Sequence, residues 1–180
     1  MITKMLISGF GGQGVLTLGQ LIADIALKQG KEVTWMPSYG AEMRGGTANC
    51  SVIISDKMIG SPIAQGGMDI LCAMNTPSIT KFADNVFPNG RIFVNSSIVR
   101  DKVEREGIEV TEVDASNIAT KVGNLRVANM VMLAGFLAKT DLFTMEDVEW
   151  VINHRFKSRN AHLIPLNIEA VKQGLAAING

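Results

Sequence analysis

At 180 residues, 47% apolar and 19% charged, the chain holds enough apolar material for one core and too little length for two, so a single domain over residues 1–180 is expected. Seventeen Lys and Arg balance seventeen Asp and Glu, which removes the broad positive field that would gather nucleic acid or an anionic membrane. The two cysteines, Cys50 and Cys72, lack any CxxC or His/Cys spacing, which excludes zinc, iron–sulfur and thioredoxin-like sites built by this chain alone.

The start, MITKMLISGF, has no basic stretch, apolar core and small-residue cleavage site in sequence, and the longest apolar run, Val127 to Ala138, is too short to span a bilayer. A soluble cytoplasmic protein with no membrane partner is expected. Lys4 to Ser8 reads as a strand ending in glycines, and Val15, Leu18, Ile22 and Ile25 then fall on one helical face. Gly30 stops that helix, and Glu32 to Met36 reads as a second strand ended by Pro37. Residues 37–46 carry too many permissive residues for a regular element and predict a shaped loop, after which Ala48 to Ile54 resumes as a strand.

Asp69 to Met74 is a buried-type strand, and Thr76 with Pro77 predicts a short helix through Phe82, capped by the threonine. Arg91 to Asn95 is a further strand. Arg100 to Gly107 is the most charged segment and reads as a solvated helix or excursion before a strand at Glu109 to Val113. Helices follow at Ile118 to Val122, Arg126 to Ala138, from Thr144 with Asp147 three residues on, and at Ala161 to Ile178, where Pro165 marks the start or a kink. Strands alternating with helices predict an α/β, Rossmann-like three-layer fold: a mainly parallel sheet, helices on both faces and a C-terminal helical section.

GFGGQG places Gly9, Gly11 and Gly14 in a G-x-G-x-x-G pattern between a strand and a helix, the context in which the pattern marks a tight turn with free amides at a helix start. A dinucleotide enzyme would then carry an acid at the end of the second strand, where this chain has Met36, Pro37 and Ser38; Glu32 lies at the strand's start. No Gly-Lys-Ser/Thr follows, so a P-loop is excluded. The turn supports the fold more than a nicotinamide cofactor.

The loop YGAEMRGG brings Tyr39, Glu42 and Arg44 together among Gly40, Gly45 and Gly46. Arg44 could clamp a carboxylate or phosphate with Glu42 orienting it, or the two could pair with each other and hold the loop. No nucleophile, general base or metal cluster stands beside them, and His154 and His162 lie apart in helical sequence. No catalytic or metal-binding residue is expected on this chain. Met130 and Met132 suit core packing, and Asn124 and Asn129 suit buried hydrogen bonding.

In their order and spacing, GFGGQG, PSYGAEMRGGTANC and NLRVANMVMLAGFLA, with Met74-Asn75 and Asn95-Ser96 between them, resemble the gamma subunit of 2-oxoacid:ferredoxin oxidoreductases over essentially the whole chain. The YGAEMRGG wording resembles the 2-oxoglutarate group more than the pyruvate group. The resemblance implies a gamma-type domain, not catalytic alone, of a complex that decarboxylates a 2-oxoacid, forms an acyl-coenzyme A and reduces ferredoxin. It implies alpha and beta partners that hold thiamine diphosphate and magnesium, a delta or ferredoxin-like component with iron–sulfur clusters, and coenzyme A as co-substrate, with no cofactor on the isolated chain. By the same resemblance Gly9, Gly11, Gly12, Gln13, Gly14, Tyr39, Glu42, Arg44, Gly45 and Gly46 form a subunit-contact or cofactor-binding region. The alternatives are a gamma subunit for pyruvate or 2-oxoisovalerate, a free-standing nucleotide-binding oxidoreductase, and an interaction module unrelated to 2-oxoacids.

Overall fold

The computed structural model describes residues 1–39, 46–63 and 66–180. Six strands form one sheet: β1 (Ile2–Phe10), β2 (Glu32–Tyr39), β3 (Thr47–Ser55), β4 (Met68–Ala73), β5 (Val86–Asn95) and β6 (Glu109–Val113), in the order β2-β3-β1-β4-β5-β6. β1, β4, β5 and β6 are parallel neighbours, while β3 runs antiparallel to both β1 and β2. The sheet is therefore mainly parallel with one reversed strand.

Six helices follow the strands: α1 (Val15–Lys28), α2 (Thr76–Phe82), α3 (Ala115–Val122), α4 (Ala128–Lys139), α5 (Met145–Phe156) and α6 (Ile164–Asn179). Alternation decides which face each strand residue serves. Met5 and Ile7 of β1, with Cys50, Val52 and Ile54 of β3, meet α1 and α4 in the main core, which α3, α5 and α6 complete. Leu6 of β1 and Leu71 and Ala73 of β4 face the other way, toward a smaller core under α2. Helices thus lie on both faces, as expected, with most of them on one.

α4 is apolar on all sides because it is enclosed: every residue from Ala128 to Phe136 is buried, and the Phe136 ring stacks on Phe93 of β5 at 4.5 Å between centroids. α5 begins with a reciprocal capping box in which Asp147 N donates to Thr144 Oγ1 and Thr144 N donates to Asp147 Oδ2.

Several boundaries differ from the sequence expectation. Pro37 does not end β2; it sits within it, opposite Cys50, because β2 is the sheet's edge and needs no donor on its outer side. Thr76 is not the cap of α2. Asn75 is: its Oδ1 accepts from Ser78 N at 3.0 Å, and Thr76 is already helical. The charged segment 100–107 forms no helix; Arg105 instead donates to the carbonyls of Ala83 and Val86, tying the excursion to the end of α2. Short 3-10 turns at Leu125–Val127 and Ala161–Leu163 delay the starts of α4 and α6, so Pro165 lies in the first turn of α6 and makes no kink.

Candidate functional site

β1 ends at Phe10, and the glycine turn carries the chain into α1 at the carboxyl ends of the parallel strands. Gly12 is the exposed tip with φ 96°, and Gly14 caps α1 with φ 75°, values that Cβ-bearing residues resist. Gly14 has no side chain to satisfy the first amides of α1, and among the described residues no side chain caps them, which leaves them facing an incoming acceptor.

Three contacts hold this turn. Gly11 N donates to the carbonyl of Gly46 at 3.0 Å, joining the turn to the start of β3. Asn129 Nδ2, from the buried α4, donates to the Gly14 carbonyl at 3.3 Å. Gln13 folds its carboxamide inward: its Oε1 accepts from Phe10 N at 2.6 Å and its Nε2 donates to the Met74 carbonyl at 3.1 Å. Met74 N in turn donates to the Ser8 carbonyl at 2.8 Å, so the ends of β1 and β4 are stitched together.

Beside that stitch lies a buried polar cluster. Ser78 Oγ sits 2.8 Å from Ser8 Oγ and 2.7 Å from Asn75 Oδ1, while Asn75 Nδ2 has no partner among the described residues. One strand further on, Asn95 Nδ2 donates to Ser116 Oγ at 2.9 Å, and Ser97 Oγ accepts from the first amides of α3, at 3.0 Å from Ser116 N and 3.1 Å from Asn117 N. That helix start is filled from within the chain.

The glycine turn and the start of β3 enclose a cleft of about 410 Å³ lined by Phe10, Gly11, Leu16, Thr17, Gly46 and Thr47 among others. Among the described residues no charged side chain lines it. Its polar chemistry comes from backbone and the hydroxyls of Thr17 and Thr47, which suits recognition of another chain or of an anion approaching the α1 amides, and not proton transfer.

Of the residues picked from sequence, Gly9, Gly11, Gly12, Gln13, Gly14 and Gly46 come together here. Tyr39 ends β2, opposite Ala48. Glu42, Arg44 and Gly45 lie outside the described residues. Glu32 stands at the far end of β2 from the turn. His154 stacks on Trp150 at 5.0 Å and His162 lies in the turn before α6, so neither reaches the cleft region. Among the described residues no three His, Cys, Asp or Glu side chains converge on a metal-sized site, and nothing in the cleft fits a magnesium or iron–sulfur ligand set. Sequence reasoning did not anticipate the Met74 carbonyl as an anchor, since a backbone acceptor leaves no compositional trace.

Residues 4–177 match the family described as pyruvate ferredoxin/flavodoxin oxidoreductase. The chain is 42% identical over 135 residues to the ketoisovalerate oxidoreductase subunit VorA of Methanothermobacter thermautotrophicus, covering 75% of this chain and 28% of that one. It is 34% identical over 161 residues to the 2-oxoglutarate synthase subunit KorC of Methanothermobacter marburgensis, covering 86% of each. The gamma subunit of a keto/oxoacid ferredoxin oxidoreductase from Geobacter sulfurreducens superposes with a TM-score of 0.82 at 29% identity, over 98% of both chains. The chain belongs to the pyruvate ferredoxin/flavodoxin oxidoreductase family. It spans little more than a quarter of its VorA relative's length, whereas it matches KorC and the Geobacter gamma subunit nearly end to end. Relatives of this kind are subunits of oxidoreductase complexes.

Proposed function

We propose that the chain is the gamma subunit of a 2-oxoacid:ferredoxin oxidoreductase that converts 2-oxoglutarate to its acyl-coenzyme A with reduction of ferredoxin. The observation that carries the reading is a glycine turn pinned on three sides, with uncapped helix amides and a cleft that, among the described residues, has no charged or acid–base side chain, on a chain that matches KorC over 86% of each. A surface of this kind binds and orients without doing chemistry. Thiamine diphosphate, magnesium and iron–sulfur clusters then belong to alpha, beta and delta-type partners, and thiamine diphosphate supplies the electron sink for decarboxylation. Gly9, Gly11, Gly12, Gln13 and Gly14 of the turn, with Tyr39, Glu42, Arg44, Gly45 and Gly46, would form the region that meets those partners, and the α1 amides suit the diphosphate of coenzyme A.

A second reading, a branched-chain 2-oxoacid as substrate, is favoured by the higher identity to VorA. One experiment addresses both. The tagged chain is purified anaerobically from its native cells, and coenzyme A-dependent dye reduction is measured with 2-oxoglutarate and with 2-oxoisovalerate. Partner chains with 2-oxoglutarate turnover support the first reading, and turnover of 2-oxoisovalerate alone replaces it with the second. Recovery of the chain alone, without activity, overturns both.

A further inference from the structure

In an open α/β sheet the ligand crevice lies at the carboxyl ends of two neighbouring parallel strands whose connections leave in opposite directions. Here those strands are β1, whose chain departs through α1 toward β2, and β4, whose chain departs through α2 toward β5 on the other side. The crevice between them is where a nucleotide would be sought. It is spanned by this chain's own Gln13, with its Oε1 on Phe10 N and its Nε2 on the Met74 carbonyl. The fit leaves no slack: a methyl group on Gly9 would stand 2.6 Å from Gln13 Oε1 and 2.8 Å from Met74 Cβ. The carboxamide is matched donor to acceptor at both ends, the arrangement that makes a half-buried amide stabilising.

We infer that Gln13 is a positioning residue that closes the crevice between β1 and β4 and holds the glycine turn in the shape its partner meets, and is not itself a contact. The closure rests on hydrogen bonds within this chain; the role toward a partner rests on the gamma-subunit reading. The consequences are two. A nucleotide seated between β1 and β4 would have to evict Gln13, which removes that crevice from dinucleotide binding and leaves only the β3 side of the turn open. With Gln13 turned inward, Gly12 is the exposed tip left to face outward.

The test uses Gln13→Met, which keeps the length and loses both hydrogen bonds, and Gln13→Glu, which keeps the acceptor for Phe10 N and loses the donor to Met74. Amide exchange is followed in the isolated chain, and the dissociation constant for the alpha and beta partners is measured in the reconstituted complex. Exchange across residues 9–14 should accelerate at least about tenfold in Gln13→Met, with β6 and α5 unchanged, because local openings are governed by local contacts. Partner binding should weaken at least about fivefold, and Gln13→Glu should fall between. If exchange matches wild type while assembly is lost, Gln13 is a direct contact and the inference fails. If exchange accelerates while partner affinity holds, the partner does not read the turn's shape and the positioning role fails. If wild type binds no partner, the gamma-subunit reading is what fails, and the exchange data still decide whether Gln13 closes the crevice. Should Gln13→Met not fold, Gln13→Glu carries the same comparison.

Discussion

Gly14 offers the sharpest check on how the turn is held. An alanine there must adopt φ 75°, and its Cβ would stand 2.5 Å from Asn129 Nδ2 and 2.7 Å from Asn129 Cγ. The left-handed backbone costs about 1–2 kcal/mol for a residue with a Cβ, and forcing the buried Asn129 aside adds about 1–3 kcal/mol. At about 2–4 °C per kcal/mol for a chain of this size, Gly14→Ala should lower Tm by about 4–20 °C. Gly12 separates the two contributions, because its φ is also positive, 96°, but among the described residues nothing lies within 4 Å of an added Cβ. Gly12→Ala should therefore carry the strain alone, about 1–2 kcal/mol. In an Asn129→Ala background, itself weaker by about 1 kcal/mol for the lost bond to the Gly14 carbonyl, the excess of Gly14→Ala over Gly12→Ala should shrink, since only the 3.1 Å approach to the Cβ of residue 129 remains. Thermal unfolding followed by circular dichroism on the three single variants and the two doubles with Asn129→Ala reads this coupling directly. If Gly14→Ala is no worse than Gly12→Ala in the native background, the contact between α4 and the turn does not hold the turn as described.

Three further outcomes are expected. Cys50 and Cys72 are both fully buried, and burial pushes the Cys50 thiol up to about 12, despite the Trp35 indole turned toward it, and the Cys72 thiol higher still. Neither should react with a thiol-specific reagent at pH 8 until denaturant is added, when two thiols per chain appear; rapid labelling of the native chain would contradict the packing of β3 and β4. Burial alone would raise the Asp147 carboxyl, but hydrogen bonds from Thr144, Lys28 and Gln29 outweigh it and hold the group below its usual range. Its contribution is therefore present above the unfolded value of about 3.9 and lost as pH falls through the lower folded one. Asp147→Asn should cost about 1 kcal/mol at neutral pH by urea titration, and the gap to wild type should narrow below about pH 4; a gap that stays constant with pH would remove the charge from the account. Ser97→Ala, which leaves Ser116 N and Asn117 N without their acceptor, should cost about 1 kcal/mol and loosen exchange in α3; an unchanged α3 would mean the cap is dispensable.

The elements written by strong local rules were legible. The Thr144 and Asp147 spacing gave the capping box, and β6 begins and ends where its β-rich residues do. Pro37 was misread because a proline ends a strand only when its amide is needed, and edge position is a property of the whole sheet. β5 starts at Val86, before Pro88, Asn89 and Gly90, residues that announce a break; the β4–β5 register shifts between Met68 and Ile70 in the same region. At the site, the glycines and their context were visible from spacing alone, and Asn129 was marked for buried hydrogen bonding. The inward turn of Gln13 was not, because its partners are a neighbouring backbone amide and a carbonyl sixty-one residues away.

The reversed strand β3 has a consequence for lineage of use. In nicotinamide enzymes the acid that grips the ribose ends the strand next to the glycine turn's own strand. Here the neighbour on that side is β3, which points the opposite way and presents its beginning, Thr47, at the turn. The end of β2 is thereby moved two strand spacings away, about 10 Å. A carboxylate substituted at Met36 or Ser38 would still be stranded beyond a ribose seated at the turn, so no point mutation converts this sheet into a dinucleotide enzyme. What the reversed strand supplies instead is nearness of another kind: the start of β3 is tied to the turn through Gly11 N and the Gly46 carbonyl, so the beginning of one strand and the end of another stand side by side where a single neighbour can grasp both.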